Sequence, residues 1–486
     1  MINRTFLRKA ENNKPKLIVE NISLPGNVTV MKKGDEQVFD FGNHYVGYVT
    51  IDFSKRGHHQ DAPLFFEVQF AEIEEELHQN AAEYNGWISS SWIQQEQFHV
   101  DILPASCRLS RRYAFRYVKV RILGVSDNYS VVIDKVSAET VSSADYLRVE
   151  KVEMKESDRL LDEVSLRTLH SCMQDIFEDG PKRDRRLWLG DLRLQAKANY
   201  VSFKQNSLVK RCLYLFAGST LEKGRLASNV FTEPSVECDF QTMFDYTLFF
   251  ISTLWDYYEN TNDIDTLKDL ESVCLKQWEL LRECFDENGL IDMTKAGNVF
   301  IDWNFDLDKQ ASAQAIYIYA LKDLLKIENK LKRDTADLEK EIREKTAAAL
   351  TLLDKEKHLF ISGSKRQVSY MSQIWMILAG VVDSGDAVKI LTELEKEKEA
   401  VKMNSPYAYH HYIEALIKAG LKEKAYDKMH EYWDGMIKCG SDTFWEIYNP
   451  ENPLESPYGG LVVHSFCHAW SCTPTYFLRK YYYDKR

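Results

Sequence analysis

Apolar and polar residues alternate with a period of two through the first third of the chain and follow a helical period through the rest. The alternation is plain in Gln37-Val-Phe-Asp-Phe, Tyr45-Val-Gly-Tyr-Val-Thr-Ile-Asp-Phe, Leu64-Phe-Phe-Glu-Val-Gln-Phe and Tyr113-Ala-Phe-Arg-Tyr-Val-Lys-Val-Arg-Ile. Successive side chains of a strand point to opposite faces, so Val-, Tyr- and Phe-rich runs of this period predict half-buried antiparallel strands. Turn clusters such as Pro25-Gly-Asn and Ser54-Lys-Arg-Gly separate them. Roughly eight such strands predict an antiparallel β-sandwich, jelly-roll-like in character, over residues 1–150.

Beyond residue 150 the period is helical. Leu160, Leu161, Val164, Leu166 and Leu169 open a helix that runs to about Glu178. Similar patterns cover approximately 191–204, 206–218, 240–260, 264–285, 309–330, 333–354, 368–380, 384–397, 407–420, 422–438 and 464–480. Short links between them favour antiparallel pairs. About twelve helices can close as six hairpins into an (α/α)6 barrel, or form a bundle; the lack of a fixed-period repeat speaks against a solenoid. The expected organisation is therefore a β-domain at 1–150 and a helical domain at 151–486. The longest irregular connections, at 178–190, 220–239, 286–308, 355–367 and 439–463, include several rich in carboxylates and tryptophan. Loops held by a rigid scaffold are where sites concentrate.

Composition narrows the function classes. The net charge of −12 repels phosphate backbones and argues against a nucleic-acid partner. No apolar run is long enough for a signal-peptide core or a membrane span, so no membrane association is expected. The nine cysteines, spread from Cys107 to Cys472, include no Cys-x-x-Cys, which fits free thiols in a reducing cytoplasm. The 10 Trp, 26 Tyr and 24 Phe suit stacking on the C–H faces of sugars, and they equally suit ordinary core packing. Nucleotide-binding glycine loops, a His-Glu-x-x-His helix and a Gly-x-Ser-x-Gly elbow are missing. His58-His59 and His410-His411 are adjacent pairs, unsuited to one face of a strand or helix. Neither a metal site nor a cofactor is expected.

Three segments concentrate candidate chemistry. The first runs Asp179-Gly-Pro-Lys-Arg183-Asp184-Arg185-Arg186-Leu-Trp188-Leu-Gly-Asp191. Gly180-Pro181 punctuates the preceding helix, and Asp191 stands near the start of the next, where a carboxylate can accept backbone N–H bonds. Read as a plain surface turn, its alternating charges would be a salt-bridged loop of little energetic weight. The second is Asp442-Thr-Phe-Trp445-Glu446, followed by a Pro/Asn-containing loop and Ser465-Phe-Cys-His468. A glutamate behind two aromatics can be desolvated, which raises its pKa toward general-base duty. The third is Asp302-Trp303, where one residue can bind hydroxyls and the other stack on a ring, or where the Asp simply caps the helix from about 309.

Together these motifs resemble the α-L-rhamnosidases of glycoside hydrolase family 78, over residues 155–480. The resemblance implies an (α/α)6 catalytic barrel accompanied by β-sandwich domains. It implies inverting, exo-acting release of terminal α-L-rhamnose by a general acid and a general base set about 6.5–9.5 Å apart. By position Glu446 is the base. Counting back from Asp191 makes Asp184 the acid, although many members carry Glu at the place that here holds Arg185. Asp179, Arg183, Trp188, Asp191, Asp302, Trp303, Trp445 and His468 are then expected to bind the terminal sugar. The implied partner is a carbohydrate or glycoside substrate, with a homo-oligomer left open. Alternative readings are an (α/α)6 enzyme for another deoxy-sugar or a uronic acid, a non-catalytic sugar-binding relative, and a helical scaffold whose three loops lie apart.

Overall fold

The computed structural model describes residues 1–483. Its β-domain comprises β1 (Ile18–Pro25), β2 (Glu36–Gly57), β3 (Leu64–Ala71), β4 (Gln95–Val100), β5 (Ala105–Arg108), β6 (Tyr113–Gly124) and β7 (Tyr129–Ser142). The strands run in the order β1-β7-β2-β6-β3-β4, with β5 on β2, and every pairing is antiparallel. β2 is the pivot. Its first half pairs with β6, and its second half pairs with β7 and β5. The register slips between Asp40 and Tyr45, a bulge that bends the strand where it passes from one set of partners to the next. Phe53, Phe66, Phe115, Val120 and Ile133 fill one apolar core within the domain.

Alternation gives no hint of the helix that precedes the sandwich, α1 (Arg4–Asn12). The Asn3 side chain caps it by accepting from Thr5 and Phe6 N–H at 3.1 and 3.2 Å. Leu7 then lies so close to Gly218 of the helical domain that a Cβ there would meet Leu7 at 2.5 Å.

The helical domain contains α2 (Glu156–Cys172), α3 (Leu189–Val201), α4 (Asn206–Gly218), α5 (Phe244–Thr261), α6 (Ile264–Leu281), a short turn α7 (Met293–Ala296), α8 (Gln310–Lys330), α9 (Ala336–Leu350), α10 (Tyr370–Leu378), α11 (Ser384–Leu394), α12 (Pro406–Lys418), α13 (Lys422–Lys438) and α14 (Pro474–Phe477). α3, α5, α8, α10 and α12 are consecutive neighbours, and α14 returns the ring to α3. These helices form the inner wall of a six-hairpin barrel. α3 is buried along almost its whole length, as an inner helix packed on two sides must be. Outer helices such as α13 bury only Ala425, Met429, Tyr432, Trp433 and Met436, one helical stripe.

Two sequence expectations change. The helix expected to reach Glu178 stops at Cys172, and Glu178 N–H folds back to the Cys172 carbonyl at 2.9 Å. The continuous helix expected over 464–480 is broken. Residues 464–468 run extended against 444–446, with Glu446 N–H donating to Ser465 O at 3.0 Å and His468 N–H to Phe444 O at 2.8 Å. A 3-10 turn, Ala469–Ser471, follows, and Pro474 opens a fresh helix because it has no N–H to give a preceding turn.

The two domains meet across buried charge. Lys182 forms an ion pair with Glu76 and donates to the His464 carbonyl at 2.9 Å. Glu72 accepts from Phe466 N–H at 2.7 Å and stands 3.0 Å from His44 Nε2. Arg112, just before β6, forks onto Glu178 at 2.7 and 2.8 Å. Burial pushes the Glu76 carboxyl up to about 7, with Lys182 pulling the other way. Replacing Lys182 with Met should leave Glu76 without its cation and destabilise the fold by roughly 3–5 kcal/mol. Urea denaturation read by tryptophan fluorescence checks this; a midpoint equal to that of the unaltered protein would remove Lys182 from the interface account.

Candidate active site

The loop from Asp179 to Trp188 is built around one backbone irregularity. Asp184 and Arg185 both adopt left-handed conformations, with φ of 60° and 54°. Two consecutive non-glycine residues of this kind store strain, of order 1–3 kcal/mol each, and such strain gathers at functional sites. The double turn separates the two side chains. Arg185 swings away and donates to the carbonyls of Pro181 and Arg112, each at 2.8 Å. Asp184 turns into a cavity of about 390 Å³.

Asp179, Arg183, Trp188, Asp191, Trp303, Glu446 and His468 line that same cavity. Arg183 is its organiser. Its Nε donates to Val463 O at 2.9 Å, one terminal nitrogen is ion-paired with Glu446, and the other lies 3.8 Å from Asp184 Oδ1. The guanidinium also sits 4.1 Å from the centre of the Tyr458 ring, whose hydroxyl donates to the second oxygen of Glu446. Glu446 is thus held from both sides. Burial pushes its carboxyl above the ordinary range, and Arg183 and Tyr458 partly counter this.

Opposite stands a polar floor. His468 Nε2 lies 3.8 Å from Asp179 Oδ2, and its Nδ1 lies 3.7 Å from Asp191 Oδ1. Both gaps exceed a hydrogen bond. Asp191 Oδ1, His468 Nδ1 and Trp303 Nε1 are buried without a hydrogen-bond partner in the protein. Unpaired buried polar atoms are costly, so three around one cavity mark places for ligand hydroxyls. Burial drives Asp179 well above the usual carboxylate range, helped by Asp184 and Asp191. Burial does the same to Asp191, reinforced by Glu446 and Asp184. Burial, together with Arg183 and His464, keeps His468 neutral.

Two expected sugar ligands lie behind the wall. Asp302 is buried and clamps its own loop, accepting from Ser405 Oγ at 2.5 Å, Asn404 N–H at 2.8 Å and Trp303 N–H at 2.8 Å. Trp445 is a core residue whose indole N–H donates to Ser441 Oγ at 2.7 Å. Neither lines the cavity. Asp302 instead presents Trp303. Asp245 assists by accepting from Phe300 and Ile301 N–H at 3.0–3.1 Å, holding Ile301 at φ 62°, a conformation a β-branched residue rarely takes.

Sequence reasoning missed Tyr458, Trp470, Phe300 and Tyr246, all of which line the cavity. Tyr458 lies in a loop whose path no periodicity predicts. Tyr246 had a signal in the motif itself: a Cβ on Gly190 would meet its ring at 2.4 Å, so the Gly-Asp pair at α3 requires glycine for this approach. Among the described residues no three His, Cys, Asp or Glu side chains are grouped to hold a metal ion, and no helix is long and apolar enough to cross a membrane.

Asp191 offers a stability test. Its folded pKa is raised, so folding costs nothing extra while the group is protonated in both states, below its unfolded value near 3.8. The penalty grows as pH rises from there toward the folded value and stays constant above it. Asp191→Asn should therefore raise the melting temperature at pH 7 by about 1–3 °C, with the gain vanishing toward pH 4. Calorimetry across that range checks it, and a lower melting point at pH 7 would contradict the burial penalty.

Residues 18–140 match the glycosyl hydrolase family 78 alpha-rhamnosidase N-terminal domain, and residues 154–482 match the bacterial alpha-L-rhamnosidase six-hairpin glycosidase domain. Among solved structures, a rhamnosidase from Klebsiella oxytoca with rhamnose bound is 38% identical, with a TM-score of 0.94 over 99% of each chain. The family 78 rhamnosidase of Bacillus sp. GL1 shares the fold at 21% identity and a TM-score of 0.78, over 97% of this chain and 48% of that one. A Streptomyces avermitilis alpha-L-rhamnosidase complexed with L-rhamnose does so at 17% identity and 0.69, over 96% and 44%. This chain thus spans about half the length of those two. No curated protein sequence matches it. With both of its domains matched in order and a near-complete structural counterpart, the chain belongs to glycoside hydrolase family 78, the α-L-rhamnosidases built on a six-hairpin barrel.

Proposed function

We propose that this chain is an exo-acting, inverting α-L-rhamnosidase in which Asp184 is the general acid and Glu446 the general base. The observation that carries the reading is the position of Arg183, with Glu446 on one terminal nitrogen and Asp184 near the other. Two carboxylates facing one cavity and separated by a guanidinium leave room for a water on one side of a sugar and a departing oxygen on the other. Inversion uses such a pair, with the two carboxyl groups about 6.5–9.5 Å apart.

Each group is suited to its part. Arg183 favours the ionised form of Glu446, which a base needs, and Tyr458 fixes its orientation. Asp184 is the most exposed of the four carboxylates, with 22% of its side chain accessible against 5% for Asp179, 3% for Asp191 and 5% for Glu446. It therefore stands toward the mouth, where a leaving group must exit. Asp179, Asp191 and His468 would bind hydroxyls of the terminal sugar, and Trp188 and Trp303 would flank its C–H faces. A cavity of about 390 Å³ suits one monosaccharide unit, in keeping with exo action.

Glu446→Gln and Asp184→Asn should each lower kcat on an unactivated rhamnoside by a factor of about 100 or more, with the fold retained. Proton NMR of the wild-type reaction should show β-L-rhamnose as the first product. Unchanged turnover in either variant, or α-L-rhamnose first, would remove the assigned roles. Arg183→Gln removes the group that lowers the Glu446 pKa, so the acid limb of kcat/KM should move to higher pH. A pH profile of that variant with an unmoved acid limb would detach the limb from Glu446.

A further inference from the structure

The β-domain does more than brace the barrel: one of its loops forms part of the cavity mouth. Trp87 and Ile88, from the connection between β3 and β4, line the same cavity as Asp184 and Glu446. The loop is docked there tightly. Gly86 comes so close to the barrel loop that a Cβ would meet the Tyr458 carbonyl at 1.8 Å. Tyr84 OH donates to that carbonyl at 3.0 Å, and Trp87 Nε1 donates to Pro457 O at 2.7 Å. Tyr84, Ile88, Trp92 and Ile93 pack on the small apolar cluster of Tyr458, Val462 and Val463.

The Trp87 ring is therefore held in place, 5.5 Å from the Tyr458 ring centre, yet it is 66% exposed. An indole whose N–H is satisfied and whose position is fixed loses little entropy on gaining a partner, and its open face is a ready stacking surface. Two further exposed aromatics adjoin residues of the lining. Phe240, 93% exposed, precedes Gln241, which lines the cavity. Phe305, 87% exposed, packs edge-on 6.1 Å from Trp303, which also lines it.

Taking the proposed function as given, the glycosidic oxygen sits at Asp184 and the aglycone leaves by the mouth. We infer that Trp87 of the β-domain is a specificity-determining residue that stacks on the aglycone, selecting glycosides whose leaving part is apolar and planar, with Phe240 and Phe305 as the apolar surround. The residue touches no reacting atom. It acts on the half of the substrate that the sugar-binding groups do not reach.

The test compares Trp87→Ala and Trp87→Phe with the unaltered protein on 2-naphthyl and methyl α-L-rhamnosides. Leaving-group reactivity cancels when each variant is divided by the wild type on the same substrate. For Trp87→Ala, kcat/KM should fall about tenfold on the naphthyl glycoside, mainly through KM, and less than about twofold on the methyl glycoside. Trp87→Phe should recover most of the loss. Equal losses on both substrates would make Trp87 a purely structural part of the rim, and no loss on either would remove it from recognition; both overturn the inference. A wild-type protein that cleaves neither rhamnoside would instead overturn the proposed function beneath it.

Discussion

Two adjacent cations hold the molecule's working parts together. Lys182 reaches into the β-domain to Glu76, while Arg183 reaches across the cavity to Glu446. Both are buried. Neighbouring residues on an irregular loop point apart, so a single short segment ties the sandwich, the barrel and a catalytic candidate into one rigid unit. A buried charge left unpaired costs several kcal/mol, which makes this loop intolerant of displacement. The left-handed pair at Asp184 and Arg185 is affordable only because Lys182, Arg183 and Arg185 are all tied down around it.

The cavity concentrates acidity that the fold would be more stable without. Asp179, Asp191 and Glu446 are all pushed up by burial, and each feels at least one neighbouring carboxylate. Among the described residues a single guanidinium, that of Arg183, lines the cavity with them. Such an arrangement trades stability for polar atoms aimed at a ligand. The aromatic residues around it are not mere filling. Trp188, Trp303 and Trp470 line the space, and the Trp470 indole N–H donates to the Glu446 carbonyl at 3.0 Å, so one wall also positions Glu446.

Carboxylates do two kinds of work here, and the chain alone does not distinguish them. Asp184 and Asp191 face the cavity, whereas Asp245 and Asp302 face backbone N–H groups. Asp302 and Trp303 are consecutive, yet one clamps the loop and the other lines the cavity. Similarly, Trp445 belongs to the core and Glu446 to the cavity. A motif names a segment; the turn of the backbone decides which of its side chains reaches the ligand.

The sequence by itself determined the class of each domain, most helix positions and the three segments that meet at the cavity. Periods of two and 3.6 arise from local geometry and burial, so they are legible in one dimension. The segments from Asp179 to Asp191 and around Glu446 stood out through their family resemblance, and both reach the cavity. Only the tertiary structure decided the rest. Helix α1 packs through Leu7 against Gly218, a contact with no local signature. Residues 464–468 read as helical but are extended, because hydrogen bonds to 444–446 and to Glu72 outweigh their local preference. Trp87 and Tyr458 reach the cavity from loops far apart in sequence, since closing it depends on how two domains dock. Arg185, which in sequence competes with Asp184 for the acid's place, is turned away by two left-handed residues and by the Arg112 carbonyl of the other domain. That choice lies in backbone torsion and interdomain contact, and neither is written in the order of residues.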